Sequence, residues 1–364
     1  MAKVYVYSSP RGVALSNEQK SDLSIEFEFD MDNPPFMGQY VDIYLYNDKF
    51  IFPEDATGLF YGAINTAFND MDKWDTSECT NMSYLFAECR NLKNSDTTEW
   101  YNPEHHYDEY CSFEIGGFNT SNVTNMSHMF YNCVSLEHIS TYGWDTTKVT
   151  DMSYMFGSGN GQTYHTYEYL DMRDLTTSSV MNMEGMFMGC QFVNDPYNGI
   201  DCSNFDTSNV TNMSHMFALT GSGVIFDGFD TSKVTDMNSM FSGSRMGVID
   251  VSDFETAQAD CSNMFSFCSR LQYLTLGTFD LSSTTSIVDM FRDCEQLVSI
   301  EADPGTNWGN YTQFSPEDEV FYGCYNLPNY DGDITYRKAN NTIPGSYFNV
   351  GPKPWSNCVI YIRM

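Results

Sequence analysis

An α/β solenoid of stacked coils, each a short strand followed through a loop by a short helix, is the fold class that this 364-residue sequence predicts. Three observations carry it: one segment recurs along the chain, its apolar residues fall at helical spacing, and a second apolar pattern of strand length follows it. The segment reads Phe118-Asn119-Thr120-Ser121-Asn122-Val123-Thr124-Asn125-Met126-Ser127-His128-Met129-Phe130. It returns from Trp144 to Phe156, Leu175 to Phe187, Phe205 to Phe217, Phe229 to Phe241 and Phe279 to Phe291, and an earlier copy runs from Trp74 to Phe86. The copy from Phe254 to Phe265 is one residue short, and looser echoes stand at Leu59-Phe60-Tyr61-Gly62 and Val320-Phe321-Tyr322-Gly323-Cys324. Repetition at a period of about 20 to 50 residues marks an array in which each unit buries its apolar face against the next.

The helix of each coil is read from Val123, Met126, Met129, Phe130 and Cys133, whose spacings of 3, 3, 1 and 3 put them on one face. The Asp/Asn-Thr-Ser run ahead of it supplies side-chain oxygens suited to cap that helix, and this reading is preferred to a calcium site. The strand is read from Leu136 and Ile139, from Leu271, Leu274 and Leu276, and from Leu297 and Ile300, a Leu-x-x-Leu-x-Leu pattern of the leucine-rich-repeat kind. From Phe86 to Phe321 the Phe anchors lie 44, 26, 31, 30, 24, 24, 26 and 30 residues apart, so the excess over 24 is inserted sequence projecting from one edge. The Met column (Met126, Met152, Met183, Met213, Met237) is expected as core filling.

Residues 1–52 lack the repeat. Lys3 to Tyr7, Ser24 to Asp30 and Val41 to Tyr46 alternate like half-buried strands between turn-forming segments, which predicts a small β unit that caps the solenoid or docks it. The solenoid is expected over residues 53–330. A C-terminal cap over 331–364 would end in a strand at Cys358 to Ile362.

The net charge of −32, from 49 acidic against 17 basic residues, repels phosphate backbones and anionic membrane surfaces, so neither nucleic acid nor membrane insertion is expected. No run approaches about 18 apolar residues, and the N-terminus shows no export signal, which predicts a protein made in the cytoplasm. Cys89, Cys133, Cys190, Cys268, Cys294 and Cys324 each follow a repeat's Phe by three residues, the pattern of a buried column of reduced thiols. No Cys-x-x-Cys pair and no zinc-ligand spacing occurs, so no metal or other cofactor is expected.

Two insertions are the candidate binding elements. Lys93 to Gly117 carries Trp100, Tyr101, His105, His106, Tyr107 and Tyr110; Gly157 to Leu170 carries Tyr164, His165, Tyr167 and Tyr169 among Gly and Ser. Tyr in a polar loop offers a large contact area with a hydrogen-bonding tip. Adjacent His105 and His106 lack the spacing that converges two imidazoles on a metal. His128 and His215 share one repeat position, two before the Phe, where Tyr84, Tyr154, Gly185, Ser239 and Asp289 stand in other copies; it reads as a tolerant surface position. No nucleophile elbow, phosphate-binding loop or zinc-protease motif is present, so no catalytic residue is expected.

The pattern Trp/Phe-Asp-Thr-Ser-x-Val-Thr-x-Met-Ser-x-Met-Phe followed by Cys-x-x-Leu closely resembles the BspA-like leucine-rich repeats of bacterial surface proteins, over about residues 59 to 327. The resemblance implies a leucine-rich solenoid that adheres to proteins. Together these readings lead us to expect a non-enzymatic repeat protein that recognises a protein or glycan. Its expected setting is a virion surface, as a phage decoration, fibre or host-attachment protein among other proteins of the particle. The alternative is an adhesin of the BspA-like type on a bacterial cell surface, exported by another route.

Overall fold

In a computed structural model of the chain, the structure is described for residues 4–9, 37–38, 40–45, 50–65, 71, 74–93, 113–114, 117–159, 165–192, 199–221, 223–277, 279–281, 283–303, 315, 318–333 and 348–349. It comprises two compact units, 1–210 with 220–227 and 211–219 with 228–364. Each is a β-solenoid whose successive coils repeat one set of contacts.

In the first unit the coil ending at Phe130 shows how the sequence is used. The N–H groups of Met126, His128, Phe130 and Asn132 donate to the carbonyls of Asp151, Ser153, Met155 and Gly157 in the next coil, at 2.7–3.1 Å. The intervening N–H groups of Met129, Tyr131 and Cys133 close turns on Met126, His128 and Phe130. Backbone donors therefore alternate between the neighbouring coil and the local turn. His128 and Asn132, four residues apart, sit in the left-handed region at φ 57° each, as Tyr84 and Glu88 do one coil earlier at 56° and 61°.

This chain of turns corrects the expected helix: among the described residues no α-helix occurs, and the fold is an all-β solenoid rather than the α/β form. A helix of roughly eight residues closes only about four internal bonds and is marginal in water. A left-handed residue at every fourth position breaks the helix at a cost of about 1–2 kcal/mol for each non-glycine. That cost is offset because each such N–H bonds to the adjoining coil: Tyr84 to Ser127, Glu88 to Tyr131, His128 to Ser153 and Asn132 to Gly157.

The Asp/Asn-Thr-Ser run consequently caps no helix. Its Asx residue accepts the N–H two positions on, as Asn119 does from Ser121 and Asp145 from Thr147. Its Thr faces inward: the Thr120 hydroxyl donates to the Asp145 carbonyl at 3.0 Å and accepts the Asp145 N–H at 2.9 Å. Thr146 bonds Thr176 and Thr177 bonds Asp206 in the same way. A second Asx column, Asp55, Asn81, Asn125, Asp151 and Asn182, pairs from coil to coil through parallel bridges. The local Asx bonds of Asn81, Asn125, Asp151 and Asn182 go to the residue two ahead.

Strands occur at Ile139, Leu274 and Ile300, where the Leu/Ile pattern places them. In the first unit β1 (Val4–Ser9) pairs antiparallel with β2 (Tyr40–Leu45). The remaining pairs are parallel: β3 (Phe50–Ile51) with β4 (Trp74–Asp75), and β5 (Phe113–Glu114) with β6 (His138–Ser140). Next come β7 (His165–Tyr167) and β8 (Tyr169–Asp171), then β9 (Cys190–Phe192). β7 pairs with β9 whereas β8 pairs with β6. The sequence between β6 and β9 thus rejoins the stack in two directions, switching partner at Glu168. β10 (Ile200–Asp201) pairs with β11 (Val224–Ile225). In the second unit β12 (Val248–Asp250), β13 (Tyr273–Gly277), β14 (Ser299–Ala302) and β15 (Phe348–Asn349) form one parallel sheet in chain order. The expected strands at 24–30 and 358–362 lie outside the described residues.

The core is columnar. In the first unit Phe60, Phe86, Phe130, Phe156 and Phe187 stack face to face with centroids 5.5–6.1 Å apart. In the second, Phe217, Phe241, Phe265, Phe291 and Phe321 stack at 5.3–5.7 Å. Both sets are fully buried, as are Met126, Met152 and Met183 in the first unit and Met213 and Met237 in the second. Burial of each such side chain contributes about 1.5–3 kcal/mol. The nine described cysteines are all free and buried, and six of them, Cys89, Cys133, Cys190, Cys268, Cys294 and Cys324, occupy the buried column position that the spacing predicts. The thiols of these six donate to the Phe carbonyl of an adjoining coil: Cys89 to Phe60, Cys133 to Phe86 and Cys190 to Phe156 in the first unit, and Cys268 to Phe241, Cys294 to Phe265 and Cys324 to Phe291 in the second.

Candidate recognition surface

The repeat position two before each Phe projects from the turn segment on the side away from the core. In the first unit it carries Tyr84, His128 and Tyr154 in three consecutive coils. Their rings stack, Tyr84 on His128 at 4.3 Å and His128 on Tyr154 at 4.8 Å. Tyr61 adjoins Tyr84 at 6.4 Å, and Tyr131 stands edge-on to His128 at 5.2 Å and to Tyr154 at 6.0 Å. All five side chains are half-buried, so the strip is an aromatic ridge with its edges in water.

Polar groups border the ridge. The Tyr154 hydroxyl donates to Glu184 at 2.9 Å, the Tyr131 hydroxyl to the Gly159 carbonyl at 3.1 Å, and the Asn132 amide to Glu88 at 2.6 Å. Glu88 also pairs with the half-exposed Arg90 at 2.8 Å. Two glycines set the ridge's limits. A Cβ at Gly185 would overlap the Tyr154 ring, and one at Gly159 would overlap Tyr131. Gly185 is left-handed, at φ 56°, as are the non-glycine residues Tyr84 and His128 at the same repeat position, so it is the space beside the Tyr154 ring that requires glycine there.

Burial pushes the His128 imidazole down to about 4, against a smaller opposing pull from Asp151. It also raises the phenols of Tyr61, Tyr84, Tyr131 and Tyr154. Near neutral pH the ridge is therefore uncharged at its rings and anionic at its border. In the second unit the same repeat position holds His215, Ser239, Asn263, Asp289 and Glu319, and no comparable ridge forms among its described residues.

The sequence-expected binding residues are placed differently. Trp100, Tyr101, His105, His106, Tyr107, Tyr110 and Tyr164 lie outside the described residues. Tyr169 is in β8. His165 and Tyr167 are in β7 and wholly buried, which corrects their assignment to an exposed recognition loop. His165 stacks on Tyr167 at 3.9 Å, its Nε2–H donates to the Leu136 carbonyl at 2.7 Å, and the Tyr167 hydroxyl donates to the Phe156 carbonyl at 3.1 Å. Burial holds the His165 imidazole down at about 4. The physical reason is local: the coil ending at Phe156 has Gly159 where six other coils have Cys, and β7 returns a buried aromatic pair beside Cys133 and Cys190.

Among the described residues one group can converge on a metal ion: Glu137, His138 and Glu168, with ligand atoms all within 4.8 Å of one another. The Asx and Thr oxygens of the repeats are already engaged in turns and inter-coil bonds. No described helix is long and apolar enough to cross a membrane.

The family profile described as "Mycoplasma protein of unknown function, DUF285" matches residues 54–163, 104–218 and 224–329. The chain belongs to this family. The matched residues cover the coils of both units and end beside the last Phe-Cys pair, Phe321 and Cys324, so this DUF285 chain is mostly family repeat. No curated protein and no solved structure matches it significantly.

Proposed function

We propose that this DUF285 protein is a non-enzymatic recognition protein that binds a protein or glycan through the ridge formed by Tyr61, Tyr84, His128, Tyr131 and Tyr154. The observation that carries this reading is the continuity of the ridge over adjacent coils, with a polar border of Glu88, Arg90, Asn132 and Glu184. Rings already packed on one another lose little conformational freedom on binding, and an aromatic centre inside a polar rim is the anatomy of an energetic hot spot. The acidic surface charge steers the protein away from nucleic acid and toward neutral or basic ligands.

The setting we propose is a virion surface, where the coils face outward and the antiparallel β1–β2 pair, unlike the parallel coil strands, serves as the docking piece. The resemblance to BspA-like repeats supports a second setting, a bacterial cell surface, and the family description's Mycoplasma protein agrees with it. Binding of the purified chain to a glycan array and to intact bacterial cells tests the reading. Saturable binding that Tyr84→Ala/Tyr154→Ala abolishes supports it. Binding that survives this pair but is lost on deletion of residues 94–112 moves recognition to the inserted loop.

A further inference from the structure

We propose that Glu137, His138 and Glu168 form a surface site for a divalent transition-metal ion, zinc or manganese, which pins the point where β7–β8 switches pairing partners. The three side chains come from adjacent coils. The Glu168 N–H donates to the Glu137 carbonyl at 2.9 Å, and β6 and β8 run in register with His138 opposite Tyr169. This places two carboxylates side by side with the imidazole next to them. His138 Nε2 lies 3.1 Å from Glu168 Oε2, and all three ligand atoms fall within 4.8 Å.

Two features point to a cation. The first is electrostatic: two carboxylates held within 4.8 Å of each other repel, and a divalent ion between them offsets that repulsion. The chain's charge of −32 raises the local concentration of such an ion. The second is chemical. One nitrogen and two carboxylate oxygens favour zinc or manganese over calcium, which takes six to eight oxygens. Glu137 and Glu168 are exposed and His138 is half-buried, which leaves room for water to complete the coordination shell.

The position gives the ion a purpose. Before Glu168 the chain pairs forward through β7 to β9, and after it the chain pairs backward through β8 to β6. Glu168 at this junction, together with Glu137 and His138 at the start of β6, would clamp the inserted segment to the coil it pairs with. Metal binding to the folded chain alone then raises stability by mass action.

Isothermal titration of the full chain with zinc chloride and with manganese chloride tests this, with thermal unfolding as a second readout. One saturable site is expected, with a higher Tm on saturation. His138→Ala and Glu168→Gln are each expected to weaken binding by about tenfold or more and to remove the Tm shift. Glu168→Gln is at the surface, so its metal-free Tm should match the parent; His138 is half-buried, and should His138→Ala lower the metal-free Tm or unfold, Glu168→Gln alone decides. His105→Ala/His106→Ala is expected to bind as the parent does. Absence of saturable binding, binding unchanged in both site variants, or binding lost in the His105/His106 variant would overturn the assignment.

Discussion

The Cys133 thiol donates to the Phe86 carbonyl at 3.0 Å, across 47 residues of sequence and one coil of the solenoid. The same carbonyl accepts the Cys89 N–H of its own coil, so Phe86 joins a local turn to its neighbour. Burial drives the Cys89 thiol up to about 12 and holds Cys133 well above the ordinary thiol range. At about pH 8 these groups therefore carry almost no thiolate, the form that reacts. A thiol reagent followed by mass spectrometry should leave Cys89, Cys133 and Cys324 unlabelled in the folded protein and label them fully in urea. Native labelling of Cys133 would show that the column is open.

Gly185 lies beneath the Tyr154 ring in the left-handed region, whereas Gly143, also left-handed at φ 76°, has nothing within 4 Å of an added Cβ. Gly143→Ala should cost only backbone strain, about 1–2 kcal/mol. Gly185→Ala adds an overlap with the ring, and its cost should exceed that of Gly143→Ala by at least about 1 kcal/mol in urea unfolding. Displacement of Tyr154 should also weaken ligand binding. Equal costs at the two sites would mean that the ring does not rest on Gly185.

Acid should weaken the first unit through His165. Its folded value of about 4 lies below the ordinary 6.5, so between these two pH values the unfolded chain holds a proton that the folded chain excludes. Stability then rises with pH across this window and is lost as pH falls through it, with a limiting slope of about 1.4 kcal/mol per unit. His128 acts in the same direction over the same range. Urea midpoints should fall between about pH 7 and about pH 5 in the parent. His165→Gln, which does not titrate, should have a lower midpoint at pH 7 and a shallower fall. An identical fall in the variant would remove His165 from the effect.

Much of this architecture was legible in the sequence, and the missing part has a physical cause. Fixed offsets identified the Phe, Met and Cys columns because superposed coils must bury like positions together. Ile139, Leu274 and Ile300 identified their strands. The segment around Met126 and Phe130 misled because its apolar spacing fits a helical face as well as a chain of turns. The discriminating signal was the residue two before and two after each Phe: Gly58 and Gly62, His128 and Asn132, Gly185 and Gly189, Asp289 and Asp293, types enriched in left-handed backbone. The ridge was hidden for a related reason. Pooled over all copies, the position of His128 looks tolerant, but in consecutive copies it reads Tyr84, His128, Tyr154. His165 and Tyr167 read as loop residues in the sequence because the return of β7 to the core leaves no trace in the repeat pattern.

The central claim, that like positions of successive repeats are stacked neighbours, is tested most directly by double-mutant cycles on the Phe column. Phe130 and Phe156 are in contact at 6.1 Å, while Phe130 and Phe187 are separated by the Phe156 ring. Truncation to Leu should give a coupling energy of about 0.5–1.5 kcal/mol for Phe130/Phe156. For Phe130/Phe187 the two effects should add to within about 0.5 kcal/mol. Additivity of the neighbouring pair, or equal coupling in both pairs, would contradict the stacked columns on which the fold and its recognition ridge rest.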